Sequence, residues 1–315
     1  MIKTVASSTL PVDERLEIRK NRILPLRPAK KSKIFSVVTG THGDELEGQY
    51  VCHRLNEILN ANREKLTGIV DIYPALNPLG IDTITRGIPM FDLDMNRIFP
   101  GDVNGTMAEY LAAGIMEELS KSDFCIDIHA SNIYLREIPQ VRISEDTAEE
   151  LLPYAKELNV DFIWVHGAAT VLKSTLAHSL NSVGVPTLVV EMGVGMRITE
   201  SYGEQLVEGI LHLMGRLGIW QGETKEVRQP HLSDNPEEII FVNAPASGIF
   251  LQETSHGESV CCGERIGRIV NPLDGKVLAE LRSECDGLLF TIREYPVVGE
   301  GSLIARILKT GEGKK

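Results

Sequence analysis

A histidine and a glutamate three residues apart are the first residues of this chain whose types suggest chemistry. His42 and Glu45 lie in the stretch "VVTGTHGDELEG", between an apolar run and a segment of helical period. Histidine nitrogens and a carboxylate oxygen are typical ligands of catalytic zinc. We expect one helical turn to bring both side chains to the same side, and Gly43 to allow an unusual backbone turn between them. Taken alone, the pattern is explained more simply by a polar turn before a helix with acids in its first turn.

Two further residues of the same types stand at the ends of apolar stretches. His129 ends the predicted strand in "CIDIHAS", and Glu191 ends the predicted strand in "TLVVEMG". Ligand sites in α/β sheets form at the carboxyl ends of strands, so these side chains meet His42 if their strands are neighbours. A carboxylate emerging from an apolar run costs free energy unless it is paired or faces a cleft. The set therefore favours a metal site with an additional carboxylate.

The elements that must position these residues are alternating strands and helices. From about residue 34 to 218, short apolar runs alternate with segments of helical period, which predicts an α/β fold with a mainly parallel, doubly wound sheet. The stretch from Asn77 to Gly105 is punctuated by proline and glycine and shows little periodicity. Irregular segments of this length inside compact domains are often functional.

A change of pattern near residues 221–236 predicts a domain boundary. We expect an α/β domain over residues 1–225 and a C-terminal β-domain over residues 236–315. The second part contains an imperfect repeat, "SGIFLQETSHGESVCCGERIGRI" and "DGLLFTIREYPVVGEGSLIARI". The repeat matches Gly248 with Gly287, Gly263 with Gly301, and Arg268-Ile269 with Arg306-Ile307. Two such halves predict a small β-sandwich or barrel, which resembles the biotinyl/lipoyl-like domains.

Those domains carry a modified lysine at a hairpin tip, and Lys276 in "LDGKV" lies near that place. Its neighbours match neither the MKM of biotin carriers nor the DKA of lipoyl carriers, and a tight turn explains the "DGK" stretch.

Composition narrows the class of protein. The 315 residues carry a formal net charge of −12, which argues against a nucleic-acid or anionic membrane surface as partner. We find no stretch of membrane-spanning length and no signal peptide, and the five cysteines form no CxxC pair. We therefore expect a cytoplasmic protein with a small-molecule substrate, and the sequence leaves open whether it forms a homo-oligomer.

Four motifs in order carry a family resemblance. The succession "GTHGDE", "DLDMNR", "DIHAS" and "VVEMG" resembles the succinylglutamate desuccinylase/aspartoacylase family, which belongs to the zinc metallocarboxypeptidase superfamily. Each motif is modest by itself, but their order, spacing and place at strand ends agree. The resemblance covers nearly the whole chain, because members of the family also carry a C-terminal β-domain.

The resemblance implies a role for each matching residue. His42, Glu45 and His129 would hold one zinc ion per chain, and Glu191 would be the general base for attack by a zinc-activated water. Asn96 and Arg97 would bind the substrate carboxylate, and Arg86 would help to polarise the scissile carbonyl. Asp94 would orient His42 from behind. The chemistry fits these types, because a carboxylate accepts a proton from the activated water and an arginine fork binds a carboxylate in two places.

Alternative assignments remain open at this point. Asp44 and Glu47 flank Glu45 and could act as ligand or base, although their place in a first helical turn suits the helix dipole. Asp127 faces the same side as His129 and is either its partner or a buried paired acid. The remaining histidines are expected to be structural or on the surface: His53, His166, His178, His212, His231 and His256. Ligand type does not distinguish zinc from cobalt or manganese.

The expected function is hydrolysis of an amide bond that joins an acyl group to an amino acid. The runner-up is a metallocarboxypeptidase or peptide amidase with the same site, and a non-catalytic binding protein is the third alternative. Aspartoacylase-like enzymes have a further arginine shortly before the catalytic glutamate, where this chain has Asn181. Arg136 and Arg142 carry positive charge, but the sequence does not direct them to the pocket. A neutral or basic amino acid is therefore at least as suitable a substrate as an acidic one.

Overall fold

The computed structural model describes residues 1–27, 29, 31–91, 93–167 and 173–310. Asp92, the first residue of the "DLDMNR" motif, and residues 311–315 of the predicted C-terminal domain lie outside the described residues.

Nine strands and six helices make up the described part of the α/β region. The strands are β1 (Ile2–Thr9), β2 (Arg15–Ile23), β3 (Ile34–Thr39), β4 (Ile69–Tyr73), β5 (Phe124–His129), β6 (Leu135–Ser144), β7 (Phe162–His166), β8 (Thr187–Gly193) and β9 (His231–Ser233). The helices are α1 (Glu47–Ala61), α2 (Pro78–Thr83), α3 (Met107–Leu119), α4 (Ala148–Ala155), α5 (Leu176–Ser182) and α6 (Glu200–Arg216).

The central sheet is mixed rather than mainly parallel. Strands β4, β3, β5 and β8 are parallel neighbours in that order. Strand β6 pairs antiparallel with β8, and β2 pairs antiparallel with β4 on the other flank. The parallel centre brings the carboxyl ends of β3, β5 and β8 to one edge. The predicted arrangement of the site needs this parallel centre and not the flanks.

Helices cover both faces of the sheet, as expected for a doubly wound fold. On one face α1, α4 and α6 pack on alternate strand residues such as Val37, Ile126 and Val190. On the other face α3 and α5 pack against Val38 and Cys125. Because strand residues alternate in direction, Asp127 and His129 share the second face with Cys125.

The hairpin strands β1 and β2 and the strand β6 were among the strands that were not predicted. The hairpin of β1 and β2 extends the sheet, and its buried Lys20 is compensated by ion pairs with Asp71 and Glu118. Strand β6 also lacks an apolar run, because charged residues and Pro139 interrupt "LREIPQVRIS". Apolar periodicity misses such strands, since their charged side chains are buried by pairing with other charged groups.

Eight short strands form the described residues of the C-terminal part. They are β10 (Ile239–Asn243), β11 (Gly248–Gln252), β12 (Ser259–Val260), β13 (Arg265–Val270), β14 (Val277–Arg282), β15 (Gly287–Arg293), β16 (Val297–Val298) and β17 (Leu303–Lys309). One sheet has the order β14-β13-β11-β16, and β10, β17, β15 and β12 lie on the other. A shared apolar core that includes Phe250, Ile269, Leu289 and Ile307 lies between the two sheets.

The two sequence repeats occupy equivalent places in this part. β11 pairs with β13 in the first half, and β15 pairs with β17 in the second. The halves also pair reciprocally, β12 with β15 and β16 with β11. Gly263 and Gly301 both adopt positive φ, at 83° and 81°. The likeness to a biotinyl or lipoyl domain stays a prediction.

The two parts share one sheet. Strand β15 pairs antiparallel with the first residues of β6, beside β7, which pairs with the last residues of β6. Phe290 of β15 packs on Phe162 of β7, with ring centres 4.9 Å apart. The division at residues 225 and 236 stays a prediction. Among the described helices, none is long and apolar enough to cross a membrane.

Candidate metal centre

The loop after β3 carries the first two candidate ligands. Glu45 precedes α1, which begins at Glu47, so a tight turn and not a helical turn brings it beside His42. The backbone N–H of Glu45 donates to the carbonyl of His42 at 3.3 Å. Gly43 is required for close approach rather than for an unusual φ, because a Cβ there would lie 1.9 Å from the carbonyl carbon of Gly80. The two side chains meet as expected, but the expected helical turn between them was wrong.

His42, Glu45 and His129 converge at the edge where β3 and β5 end. Their ligand atoms lie within 4.8 Å of one another, and all three residues are buried. Nδ1 of His42 lies 2.8 Å from Oε1 of Glu45, and Nδ1 of His129 lies 3.0 Å from Oε2. This is the only such group of three among the described residues. The carboxylate thus lies between two imidazoles that present the same ring nitrogen.

Each histidine has a second carboxylate behind it. Nε2 of His42 lies 2.9 Å from Oδ1 of Asp94, and Nε2 of His129 lies 3.2 Å from Oδ2 of Asp127. Asp94 caps a short 3-10 helix, Met95–Arg97, and accepts the backbone N–H of Asn96. The hydrogen bond between Nε2 of His42 and Asp94 fixes the orientation of that ring. The Asp127 carboxylate lies close to Nε2 of His129 without hydrogen-bond geometry, and Nδ1 of each ring is directed to Glu45.

The residues present fit a metal ion. Nδ1 of His42 is buried and has no hydrogen-bond partner among the described residues. Glu45 is close to it, but the geometry of this contact is not that of a hydrogen bond. Buried polar atoms are nearly always satisfied, so an orphaned nitrogen needs an explanation. A ligand role for this nitrogen provides one. Two imidazoles and a carboxylate are also a common donor set of catalytic zinc sites.

The electrostatics of the cluster favour a cation. Burial opposes protonation of His42, but its contacts with Asp94 and Glu45 outweigh burial and raise its pKa. Burial likewise opposes protonation of His129, yet Asp127 and Glu45 raise its pKa well above the ordinary value. The pKa of Asp94 falls to about 2, because the contact with His42 outweighs burial. The negative charge of the carboxylates, which raises the pKa of both imidazoles, would equally attract a divalent cation.

Glu191 lies beside this cluster. It is the ladder partner of His129 in the pairing of β5 with β8, so both side chains project from the same face of the sheet. Burial raises the pKa of the Glu191 carboxyl, and the guanidinium of Arg142 opposes that shift. Nη1 of Arg142 lies 3.5 Å from Oε1 of Glu191.

Arg86, Asn96 and Arg97 line the same cavity, whose volume is about 600 Å³. Nη1 of Arg86 donates to Oε1 of Glu45 at 2.8 Å, so this arginine contacts the ligand set directly. The side-chain oxygen of Asn96 accepts the backbone N–H of Leu176 at the start of α5. Arg97 is exposed and donates to the carbonyl of Asn96, and no carboxylate pairs with it in the described part of the chain.

Comparisons with known proteins show the family of the chain. The sequence profile of the succinylglutamate desuccinylase/aspartoacylase catalytic domain matches residues 33–217, which is more than half of the chain. The chain belongs to this family.

Relatives and solved structures extend the match beyond the catalytic domain. A deacetylase of N-alpha-acetyl-L-2,4-diaminobutyric acid from Halomonas elongata is 28% identical over 282 residues, which cover 87% of this chain and 81% of the relative. The product-bound ectoine utilization protein EutE (DoeB) from Ruegeria pomeroyi has a TM-score of 0.80 at 22% identity, with 96% of this chain and 93% of that chain covered. A succinylglutamate desuccinylase/aspartoacylase from Rhodobacter sphaeroides has a TM-score of 0.78 at 24% identity, with 96% and 92% covered. The structures show a shared fold.

In this member of the succinylglutamate desuccinylase/aspartoacylase family, the structure also shows the contacts of Glu47 and Asp44, which the sequence left open as alternatives to Glu45. Glu47 is fully buried and accepts the backbone N–H and the hydroxyl of Thr199, so it fastens the loop after β8. Asp44 is outside the metal-binding group, and its backbone carbonyl accepts the N–H of Met196. Both observations favour Glu45 over its neighbours as the ligand.

Sequence reasoning named Arg142 as a possible source of positive charge but did not place it in the cavity. Asn181, at the place of the family's additional arginine, makes paired hydrogen bonds with the backbone of Thr187 and so joins α5 to β8. Arg136 pairs with Glu294. Arg142 instead reaches the cavity from β6, whose antiparallel pairing with β8 places it near Glu191. The sequence would have placed Arg142 in the cavity only if β6 had been recognised as a strand that pairs with β8.

The other histidines lie outside the metal-binding group. His166 and His178 line the cavity, whereas His212 pairs with Glu157. Nε2 of His256 lies 3.0 Å from the carbonyl oxygen of Phe290.

Proposed function

We propose that this chain is a zinc-dependent amidohydrolase that removes the acyl group from an N-acylated amino acid or a similar small carboxylate. The observation that carries the proposal is the buried group of His42, Glu45 and His129 with Glu191 beside it on the next strand. Membership of the family supports a hydrolase of this kind.

His42 and His129 would hold the metal ion through Nδ1, and Glu45 would hold it through its carboxylate. When bound, zinc lowers the pKa of a water molecule and polarises a carbonyl group. The hydrogen bond from Asp94 would keep His42 in the orientation that this requires, and the nearby carboxylate of Asp127 would support His129 by its charge. Their negative charges also make the histidines stronger donors.

Glu191 would act as general base and then as general acid. Its carboxylate accepts a proton from the attacking water and passes that proton to the nitrogen of the leaving amino acid. Burial raises the pKa of this carboxyl, which makes it a stronger base than an exposed glutamate. The guanidinium of the nearby Arg142 opposes this rise of the pKa and so favours the ionised form.

The other residues of the cavity would bind the substrate. Arg97 has a planar fork without a carboxylate partner among the described residues, so with Asn96 it can bind the carboxylate of the amino acid. Arg86, now bonded to Glu45, would stabilise negative charge on the carbonyl oxygen. Its side chain is 41% exposed, which leaves it accessible to a ligand.

The cavity favours a small substrate. Its volume of about 600 Å³ is within the range of sites for small molecules. The relative from Halomonas elongata is named for deacetylation of an N-acetylated amino acid, which is a substrate of this size. A metallocarboxypeptidase or peptide amidase would use the same residues and remains the second candidate.

A hydrolysis panel tests the proposal. We would measure release of amino acid from N-acetyl and N-succinyl amino acids with neutral, basic and acidic side chains, and from short peptides, using zinc-loaded and chelated protein. The expected result is hydrolysis of N-acyl amino acids by the zinc-loaded protein alone. Hydrolysis of peptides without hydrolysis of any N-acyl amino acid would reject the deacylase and favour the carboxypeptidase.

A further inference from the structure

A buried carboxylate, Glu137, lies behind the active-site cavity. Its side chain is 1% exposed. Oε1 accepts hydrogen bonds from Nη2 of Arg142 at 3.1 Å and from Nη1 of Arg306 at 2.9 Å. Oε2 accepts hydrogen bonds from Gln140 and Thr291. A carboxylate so far from water is stable only because these donors satisfy it.

Strand register builds this group across the junction of the two parts of the chain. Glu137 on β6 is the ladder partner of Thr291 on β15, and Thr291 is the ladder partner of Arg306 on β17. The three residues therefore form one row across three strands. Arg306 is the only residue of the C-terminal part among the described residues that line the cavity.

Arg142 connects the row to the catalytic site. One end of its guanidinium contacts Glu137, and the other end lies 3.5 Å from Oε1 of Glu191. The guanidinium carbons of Arg142 and Arg306 each lie 5.7 Å from the ring centre of Trp164. The position of Arg142 is therefore set by a carboxylate on each side and by an aromatic ring that it shares with Arg306.

The repeat shows that Arg306 differs from its counterpart. Arg268 occupies the equivalent place in the first half, but its side chain is 43% exposed and pairs with Glu253. Arg306 is 18% exposed and pairs with the buried Glu137. The same residue type in the same local strand thus has a surface role in one half and an internal role in the other.

We propose that Arg306 is a positioning residue of the active site, acting through Glu137 and Arg142 on Glu191. This inference rests on the proposed function, in which Glu191 is the base. Arg306 supplies one of the two guanidinium groups that pair with the negative charge of Glu137. Without it, Glu137 competes with Glu191 for the single guanidinium of Arg142 and draws it away from the base. The C-terminal part would then contribute to catalysis through Arg306.

The test compares Arg306→Met with the equivalent surface variant Arg268→Met in the full zinc-loaded protein. We expect kcat of Arg306→Met to fall by about 10–100-fold, as is typical when a supporting residue behind an active site is lost. KM should change by less than about threefold, because Arg97, which would bind the substrate carboxylate, is not part of this row of residues. Bound zinc should stay at one equivalent. Arg268→Met should keep the wild-type kcat. Arg306→Lys, which retains the charge, should recover most of the loss.

A double variant separates positioning from general damage to the fold. When Glu137→Gln is added to Arg306→Met, the competing carboxylate is gone, so Arg142 should return to Glu191 and kcat should rise above that of Arg306→Met alone. Wild-type kcat in Arg306→Met would overturn the inference, and so would a double variant no better than the single one. If Arg306→Met does not fold, kcat is compared between Arg306→Lys, which keeps the positive charge, and Arg306→Gln, which does not; Arg306→Lys should have the higher kcat. Activity in Glu191→Gln would instead reject the proposed function.

Discussion

At the scale of single residues, each histidine of the candidate metal centre lies between two carboxylates. Glu45 faces Nδ1 of both rings, while Asp94 and Asp127 lie behind them. The types of His42, Glu45, His129 and Glu191 and their places at or after strand ends predicted that they meet if the strands are neighbours. The strands are neighbours, and the first three residues form one group. Arg142 could not be found in that way, because its contact with Glu191 depends on a neighbouring strand that has no apolar pattern.

Asp94 provides a test at this scale. We expect Asp94→Asn to weaken zinc affinity by about 10–100-fold, because the neutral amide no longer increases the basicity of His42. The affinity is measured by competition with a chelating dye. Asp82→Asn, on an exposed position of α2, is the matched control and should bind zinc as the wild type does. Equal affinities for Asp94→Asn and the wild type would show that Asp94 does not support the metal ligand.

At the scale of elements, the ends of β3, β5 and β8 bring the site together, and the loops after them are fixed by close packing. Gly193, the last residue of β8, has a φ of 69°, and a Cβ there would lie 1.8 Å from Oε1 of Glu47. Glu47 in turn holds Thr199. The strands were predictable from apolar runs, whereas this packing between distant loops left no local signal in the sequence.

Substitution of Gly193 and of Gly184 by alanine distinguishes the cost of packing from the cost of backbone strain. Both have positive φ, but nothing lies within 4 Å of a Cβ at Gly184. Gly184→Ala should therefore cost about 1–2 kcal/mol of unfolding free energy, from the left-handed backbone alone. Gly193→Ala should cost about 1–3 kcal/mol more, because the methyl group must displace Glu47. Urea unfolding measures both, and equal losses would contradict the packing described for Glu47.

At the scale of the whole molecule, one continuous sheet joins the α/β part to the C-terminal part. The repeat made the β-rich character of residues 236–310 predictable. The pairing of β6 with β15 was not predictable, since no sequence pattern specifies which distant strands become neighbours. His256 lies at this junction. Its Nδ1 is 3.4 Å from the hydroxyl of Tyr202 on α6, and its Nε2 is 3.0 Å from the carbonyl oxygen of Phe290 on β15.

The pH dependence of stability tests the burial of His256. Burial lowers the pKa of His256, and the carbonyl of Phe290 opposes this only in part. In the unfolded chain the residue takes up a proton near pH 6.5, before the folded chain does, so its protonation favours unfolding below about that pH. The advantage in unfolding free energy of the wild type over His256→Asn should therefore shrink between pH 7.5 and pH 5. A difference that stays constant would place His256 in contact with water.

The dependence of the whole molecule on zinc and on Glu191 is tested most directly by zinc titration of the chelated protein. Bound zinc and hydrolysis of an N-acetyl amino acid are measured on the same samples, for the wild type, His129→Ala and Glu191→Gln. The wild type should gain activity in proportion to zinc and reach its maximum at one equivalent. His129→Ala should fail to bind zinc tightly, and Glu191→Gln should bind one equivalent without hydrolysis. Full hydrolysis by the chelated wild type, or by zinc-loaded Glu191→Gln, would contradict the proposed mechanism.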